Sequence, residues 1–167
     1  MSLAAHQAAV EAAVDQAAAA LGGIDILVNN AGIFLAAPAD DLSLEDFDAT
    51  MAVNLRAPFV AVRAVLPHMG EGGRIVAMSS VAGLTGNRGQ ASYSAAKAGV
   101  VAFTKSLALE MAKREILVTC VAPGFVESDH VKRIGGVIKR CVVFDAKKAP
   151  VAIQALIDSE ENVTNGM

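Results

Sequence analysis

Three short, almost wholly apolar runs mark this chain, and each stops at small or polar residues. Ile24-Asp25-Ile26-Leu27-Val28 runs into Asn29-Asn30-Ala31-Gly32, Arg74-Ile75-Val76-Ala77-Met78 into Ser79-Ser80, and Ile116-Leu117-Val118-Thr119-Cys120-Val121-Ala122 into Pro123-Gly124. Runs of this length, rich in β-branched residues and bounded by turn formers, predict buried parallel strands. Helices are predicted between them: from Ala4 to Leu21, with Val10, Val14 and Leu21 on one stripe and Gly22-Gly23 as a stop; from about Leu44 to Met69; and from about Ala91 to Lys113. Ser43 with Asp46 three residues later approximates a capping box for the second helix. The alternation predicts an α/β fold, an open doubly wound parallel sheet of about three strands with helices on both faces. Ligands of such sheets bind beyond the carboxyl ends of the strands, where Asn30, Ser80 and Pro123-Gly124 converge.

Composition narrows the function. With 167 residues, 54% hydrophobic and 19% charged, the chain has material for one core and is expected to form a single domain over residues 1–167. A net charge of -3, one tyrosine and no tryptophan supply neither a basic field nor a stacking platform, which argues against nucleic acid as a partner. Cys120 and Cys141 lie far apart inside apolar runs, a pattern suited to reduced thiols rather than a disulfide or metal site. Met1 to Val10 has no basic leader, and no run reaches the roughly 18 apolar residues of a membrane span, so the expected location is the cytoplasm, with no membrane partner.

The chemistry gathers at Tyr93-Ser94-Ala95-Ala96-Lys97. Residues i and i+4 share a helix face, so the Tyr93 phenol and the Lys97 ammonium can share one site. A phenol is a sluggish acid near neutrality, and a cation within about 4 to 6 Å favours its phenolate, which makes the pair acid/base machinery. The competing reading of the pair alone is a solvated helix face. In the second helix Pro58 has no N–H, so the carbonyl of Asn54 four residues earlier loses its helical donor and is open to water; alternatively Pro58 only kinks a buried helix.

Taken in order, Asn29-Asn30-Ala31-Gly32, Asn54-Leu55, Ser79-Ser80, Tyr93 to Lys97 and Pro123-Gly124-Phe125-Val126-Glu127-Ser128 resemble the successive signatures of the short-chain dehydrogenase/reductase family, over roughly Ala4 to Asp129. The wording from Gly86 to Tyr93 and from Pro123 to Glu127 looks most like the 3-oxoacyl-acyl-carrier-protein reductases. The resemblance implies a partial Rossmann-like fold and an NAD(P)-dependent oxidoreductase acting on a carbonyl of the 3-oxoacyl thioester kind. In that reading Tyr93 gives its proton to the carbonyl oxygen, Lys97 favours the phenolate and holds the ribose hydroxyls of NADP or NAD, and Ser80 hydrogen-bonds the substrate oxygen. Asn54 holds a relay water through its carbonyl. Asn30, Ala31 and Gly32 pass under the cofactor, Pro123, Gly124 and Val126 wall the nicotinamide, and Ser128 stands where the family usually has threonine.

The chain departs from that pattern at both ends. The family's T-G-x-x-x-G-x-G turn and its first strands are not among these residues, and Asn162 to Gly166 echoes the turn before the family's last strand. Three alternatives therefore stand: a reductase, a catalytically impaired relative that oligomerises or pairs with other chains through the two long helices, and a truncated gene model. Cofactor binding is expected to be weak or absent without the glycine-rich turn, and the strand at Ile24 to Val28 is expected to have an open edge. Residues 130–150 are read as a lid, basic through Lys132, Arg133, Lys139, Arg140, Lys147 and Lys148 around Val142-Val143-Phe144, with a last helix over Val151 to Ile157.

Overall fold

The computed structural model describes residues 3–124 and 141–145. Four strands, β1 (Ile26–Asn29), β2 (Arg74–Met78), β3 (Leu117–Pro123) and β4 (Cys141–Asp145), form one sheet in the order β1-β2-β3-β4. The first three pair in parallel, as the strand–helix alternation predicts, with Leu27, Ile75 and Val118 in one row and Asn29, Ala77 and Cys120 in another. β4 is an addition: it pairs antiparallel to β3, with Val143 opposite Val121 and Phe144 opposite Cys120. The apolar Val142-Val143-Phe144, expected in a lid, therefore belongs to the sheet, and the rest of that lid, the Val151 to Ile157 helix and the Asn162 to Gly166 turn lie outside the described residues.

Helix α1 spans Leu3–Leu21, α2 Leu44–Met51, α3 Ala57–Val65, α4 Ala82–Thr85 and α5 Ala91–Met111. Gly22 and Gly23, at φ +77° and +145°, end α1, with the Gly23 N–H on the Ala18 carbonyl at 3.1 Å. Ala18 is the buried residue at this end, whereas Leu21, expected on the buried stripe, is 77% exposed. The Ser43 Oγ accepts from the Asp46 N–H at 3.0 Å and caps α2.

The predicted Leu44 to Met69 helix is one rod with a fault in it: Ala52–Arg56 is a π turn joining α2 to α3, and Leu66–His68 closes the rod as a 3-10 turn. Here the Ala57 N–H reaches back five residues to the Ala52 carbonyl. Pro58 thus withholds the N–H due to Val53 in the five-residue register or to Asn54 in the four-residue one. Asn54, whose carbonyl the sequence marks as left open by Pro58, lies inside this wider turn just ahead of the proline. Leu44–His68 is also long and apolar enough, by length and composition, to cross a membrane. It buries Thr50 and Asn54 fully within the protein, as a core helix does.

The core lies between the helices and one face of the sheet. Val62 and Val65 of α3 and Leu107 of α5 pack with Ile75, Ile116 and Val118, and Val14 and Leu27 join them. Successive strands follow one another across the sheet, so their crossover helices fall on the same side. Among the described residues the helices thus cover one face, not both. On the opposite face of β1, Ile26 and Val28 are 62% and 55% exposed.

Candidate active site

The carboxyl ends of β2 and β3 are tied together by backbone. The Ser79 N–H donates to the Val121 carbonyl at 2.7 Å and the Val81 N–H to the Pro123 carbonyl at 2.9 Å, so the chain leaving β2 runs beside the end of β3. The Ser80 Oγ accepts from the Ala82 N–H at 3.2 Å, which turns the chain into α4. That short helix sits against the backbone of α5: a Cβ on Gly83 would lie 2.7 Å from the Lys97 carbonyl carbon and 2.8 Å from the Ala98 nitrogen. Only glycine permits this approach.

Lys97 is held at both ends by consecutive residues of β2 and its exit. Its Nζ donates to the Met78 carbonyl at 2.7 Å, and the Ser79 Oγ donates to its main-chain carbonyl at 2.8 Å. The side chain is 5% exposed. Burial holds its ammonium below the ordinary value of 10.5, and the nearby Cys120 sulfur acts in the opposite sense. Burial likewise pushes the Cys120 thiol up, while hydrogen bonds from Thr104 and Ser79 work against that rise. Because the folded lysine binds its proton less firmly than the unfolded one, the unfolded chain carries more protons between the two values, so stability climbs as pH rises through that interval toward 10.5. Urea unfolding of wild type and Lys97→Met between neutral pH and pH of about 10.5 is expected to show this rise in the wild type and a flatter curve in the variant; parallel curves would contradict it.

The Tyr93 ring stands between two neighbours. The Lys97 Nζ lies 5.7 Å from its centroid, and the Phe34 ring meets it edge to face at 5.0 Å and 87°. Asn54, fully buried, closes the site from the other side. Its Nδ2 donates to the Ile33 carbonyl at 2.8 Å and to the Thr50 carbonyl at 3.1 Å, and its Oδ1 accepts from the Ile33 N–H at 3.2 Å. Gly32 lies against this amide: a Cβ there would fall 2.6 Å from the Asn54 Oδ1 and 3.6 Å from the Lys97 Nζ.

The structure therefore brings Asn54, Gly32, Lys97 and Tyr93 into one cluster. Ser80 and Pro123 stand at its strand ends, and Asn30 and Ala31 lie exposed on the loop leading to Gly32. Gly124 follows β3, while Val126 and Ser128 lie outside the described residues. Met78, Ser79, Ile33 and Phe34 also belong to the site, and the sequence assigns them no role. Two of them act through the main chain, which side-chain motifs do not report, and Phe34 sits in a loop without periodicity.

The residues present fit one end of a nicotinamide cofactor. Among the described residues the buried Asn29 Nδ2 has no partner, and the chain runs on through the exposed Asn30 and Ala31 to a glycine floor at Gly32 beside Lys97. A narrow, small-residue backbone of this kind admits a flat ligand close to the chain.

Comparison with known proteins agrees with this geometry. The short chain dehydrogenase family profile matches residues 2–136. The 3-oxoacyl-[acyl-carrier-protein] reductase FabG of Aquifex aeolicus is 48% identical over 120 residues, 71% of this chain and 48% of the reductase. Nodulation protein G of Rhizobium sp. (strain N33) is 44% identical over 136 residues, 80% of this chain and 56% of that protein. A short chain dehydrogenase from Burkholderia cenocepacia J2315, solved in complex with NADP, superposes with a TM-score of 0.71 at 48% identity, covering 74% of this chain and 51% of that one. The chain thus spans about half the length of the relatives it matches. A buried lysine beside a tyrosine at the ends of parallel strands, the asparagine clamp and these matches together make the chain a member of the short-chain dehydrogenase/reductase family, akin to its 3-oxoacyl-acyl-carrier-protein reductases.

Proposed function

We propose that this chain carries the proton-transfer machinery of a cytoplasmic NAD(P)-dependent carbonyl reductase acting on a 3-oxoacyl thioester or a similar ketone. The observation that supports it most is Lys97, buried, fixed at both ends and set over the Tyr93 ring. Asn30, Ala31, Gly32, Lys97 and Pro123 would hold the nicotinamide end of the cofactor, which supplies hydride when bound. Ser80, already accepting from the Ala82 N–H, keeps its own proton to donate to the substrate carbonyl oxygen. Tyr93 delivers the proton that turns that oxygen into a hydroxyl, and the Lys97 charge favours the phenolate left behind. A water on the carbonyl left without a helical donor by Pro58 returns a proton to the site.

The glycine-rich phosphate turn is not among these 167 residues, and each 1.4 kcal/mol of lost contact weakens binding about tenfold. The assay is therefore run with millimolar NADPH or NADH and a 3-oxoacyl thioester. Thioester-dependent cofactor oxidation is expected, with a high cofactor KM; none at any cofactor concentration overturns the reading. The second reading, an interaction module, is favoured by one surface. Phe59, 50% exposed, meets Phe103 at 5.9 Å on a groove of ≈ 600 Å³ that Met51 and Leu55 also line. Self-association through the two long helices would use this face.

A further inference from the structure

We infer that Phe34 sets substrate preference, selecting carbonyl compounds that carry an apolar, flat group beside the reacting carbon over short ones; the inference rests on Tyr93 being the proton donor. Asn54 pins the Ile33 main chain through both its N–H and its carbonyl, so the next residue has little freedom. The same loop rests on the turn ahead of α5, where a Cβ on Gly89, at φ +72°, would lie 3.7 Å from Ala37. Fixed from both sides, Phe34 sets its ring at right angles to that of Tyr93, with the centroids 5.0 Å apart. Yet the residue is 49% exposed. A phenylalanine that served only to pack Tyr93 would be sealed into the core; this one leaves half its surface open while its ring touches that of the proposed proton donor. The polar groups that address the carbonyl oxygen in the proposed reaction are the Ser80 and Tyr93 hydroxyls, so the aromatic surface of Phe34 beside Tyr93 is left to meet what flanks the carbonyl.

Two matched 3-oxo esters test this, ethyl benzoylacetate with a phenyl group beside the ketone and ethyl acetoacetate with a methyl. Phe34→Ala is expected to lower the ratio of kcat/KM for the phenyl ester to that for the methyl ester about tenfold, through KM for the phenyl ester, while Phe34→Leu keeps most of the preference. An equal fall on both esters overturns the inference, because Phe34 would then act only by holding Tyr93. Phe34→Gln replaces Phe34→Ala in the same comparison if the alanine variant does not fold. Should wild type reduce neither ester, the thioester assay alone decides the proposed function, and saturation-transfer NMR decides the role of Phe34 without turnover. The phenyl protons of ethyl benzoylacetate are then expected to receive saturation from wild type and Tyr93→Phe but not from Phe34→Ala. Equal transfer from all three, or none from any, overturns it.

Discussion

Tyr93→Phe is expected to lower carbonyl reduction by about 100- to 10,000-fold, the usual range for losing a positioned proton donor, while leaving the fold intact. Among the described residues the ring of Tyr93 makes its contacts, a T-shaped one with Phe34 and one with the Lys97 Nζ over it, and phenylalanine keeps both. Thermal unfolding of the variant should therefore match wild type within about half a kcal/mol, as for substitutions that disturb neither packing nor a buried partner. Cofactor oxidation with the thioester, measured beside that melting curve, separates the two effects. Retained activity in the variant would remove Tyr93 from the chemistry.

Asn54→Ala is expected to destabilise the protein by about 3 kcal/mol, because a fully buried amide with three main-chain partners disappears. The Ile33 N–H and carbonyl lose their partner together, and the loop carrying Phe34 loses its anchor. Asn54→Asp sharpens the prediction. A carboxylate can still accept from the Ile33 N–H, but it faces the Ile33 and Thr50 carbonyls with no proton to donate. This variant should be the less stable of the two at neutral pH and should recover as pH falls and the carboxyl takes up a proton, since the folded state then binds it more readily than the unfolded. Urea midpoints at several pH values read the difference directly; midpoints for Asn54→Asp that do not change with pH would refute the assigned bonds.

Much of this arrangement was legible in the sequence, and what was not has physical reasons. Arg74–Met78 is matched residue for residue because β-branched residues stand between two firm stops, Gly72-Gly73 and Ser79-Ser80. Tyr93 and Lys97 are legible because helical spacing fixes which residues share a face. Leu21 was misread since the last residue of a helix has no following turn to cover it. β4 depends on pairing with a distant strand, and the one-sided helix layer depends on strand order, neither of which local periodicity encodes. Pro58 marks Asn54, inside the π turn, as the place of the disturbed bond, but a missing N–H does not by itself say whether the helix widens or kinks there. Ile33 and Phe34 matter because a distant amide grips the main chain beside them, a relation without a spacing signature.

The setting of the Tyr93 ring has an optical consequence. The chain holds a single tyrosine and no tryptophan, so its near-ultraviolet circular dichroism arises chiefly from one chromophore, set at right angles to Phe34 and faced by the Lys97 charge. Any molecule settling at that ring, or any loosening of the loop beside it, will rewrite almost the whole aromatic spectrum, giving the protein an intrinsic indicator dye at the proposed site.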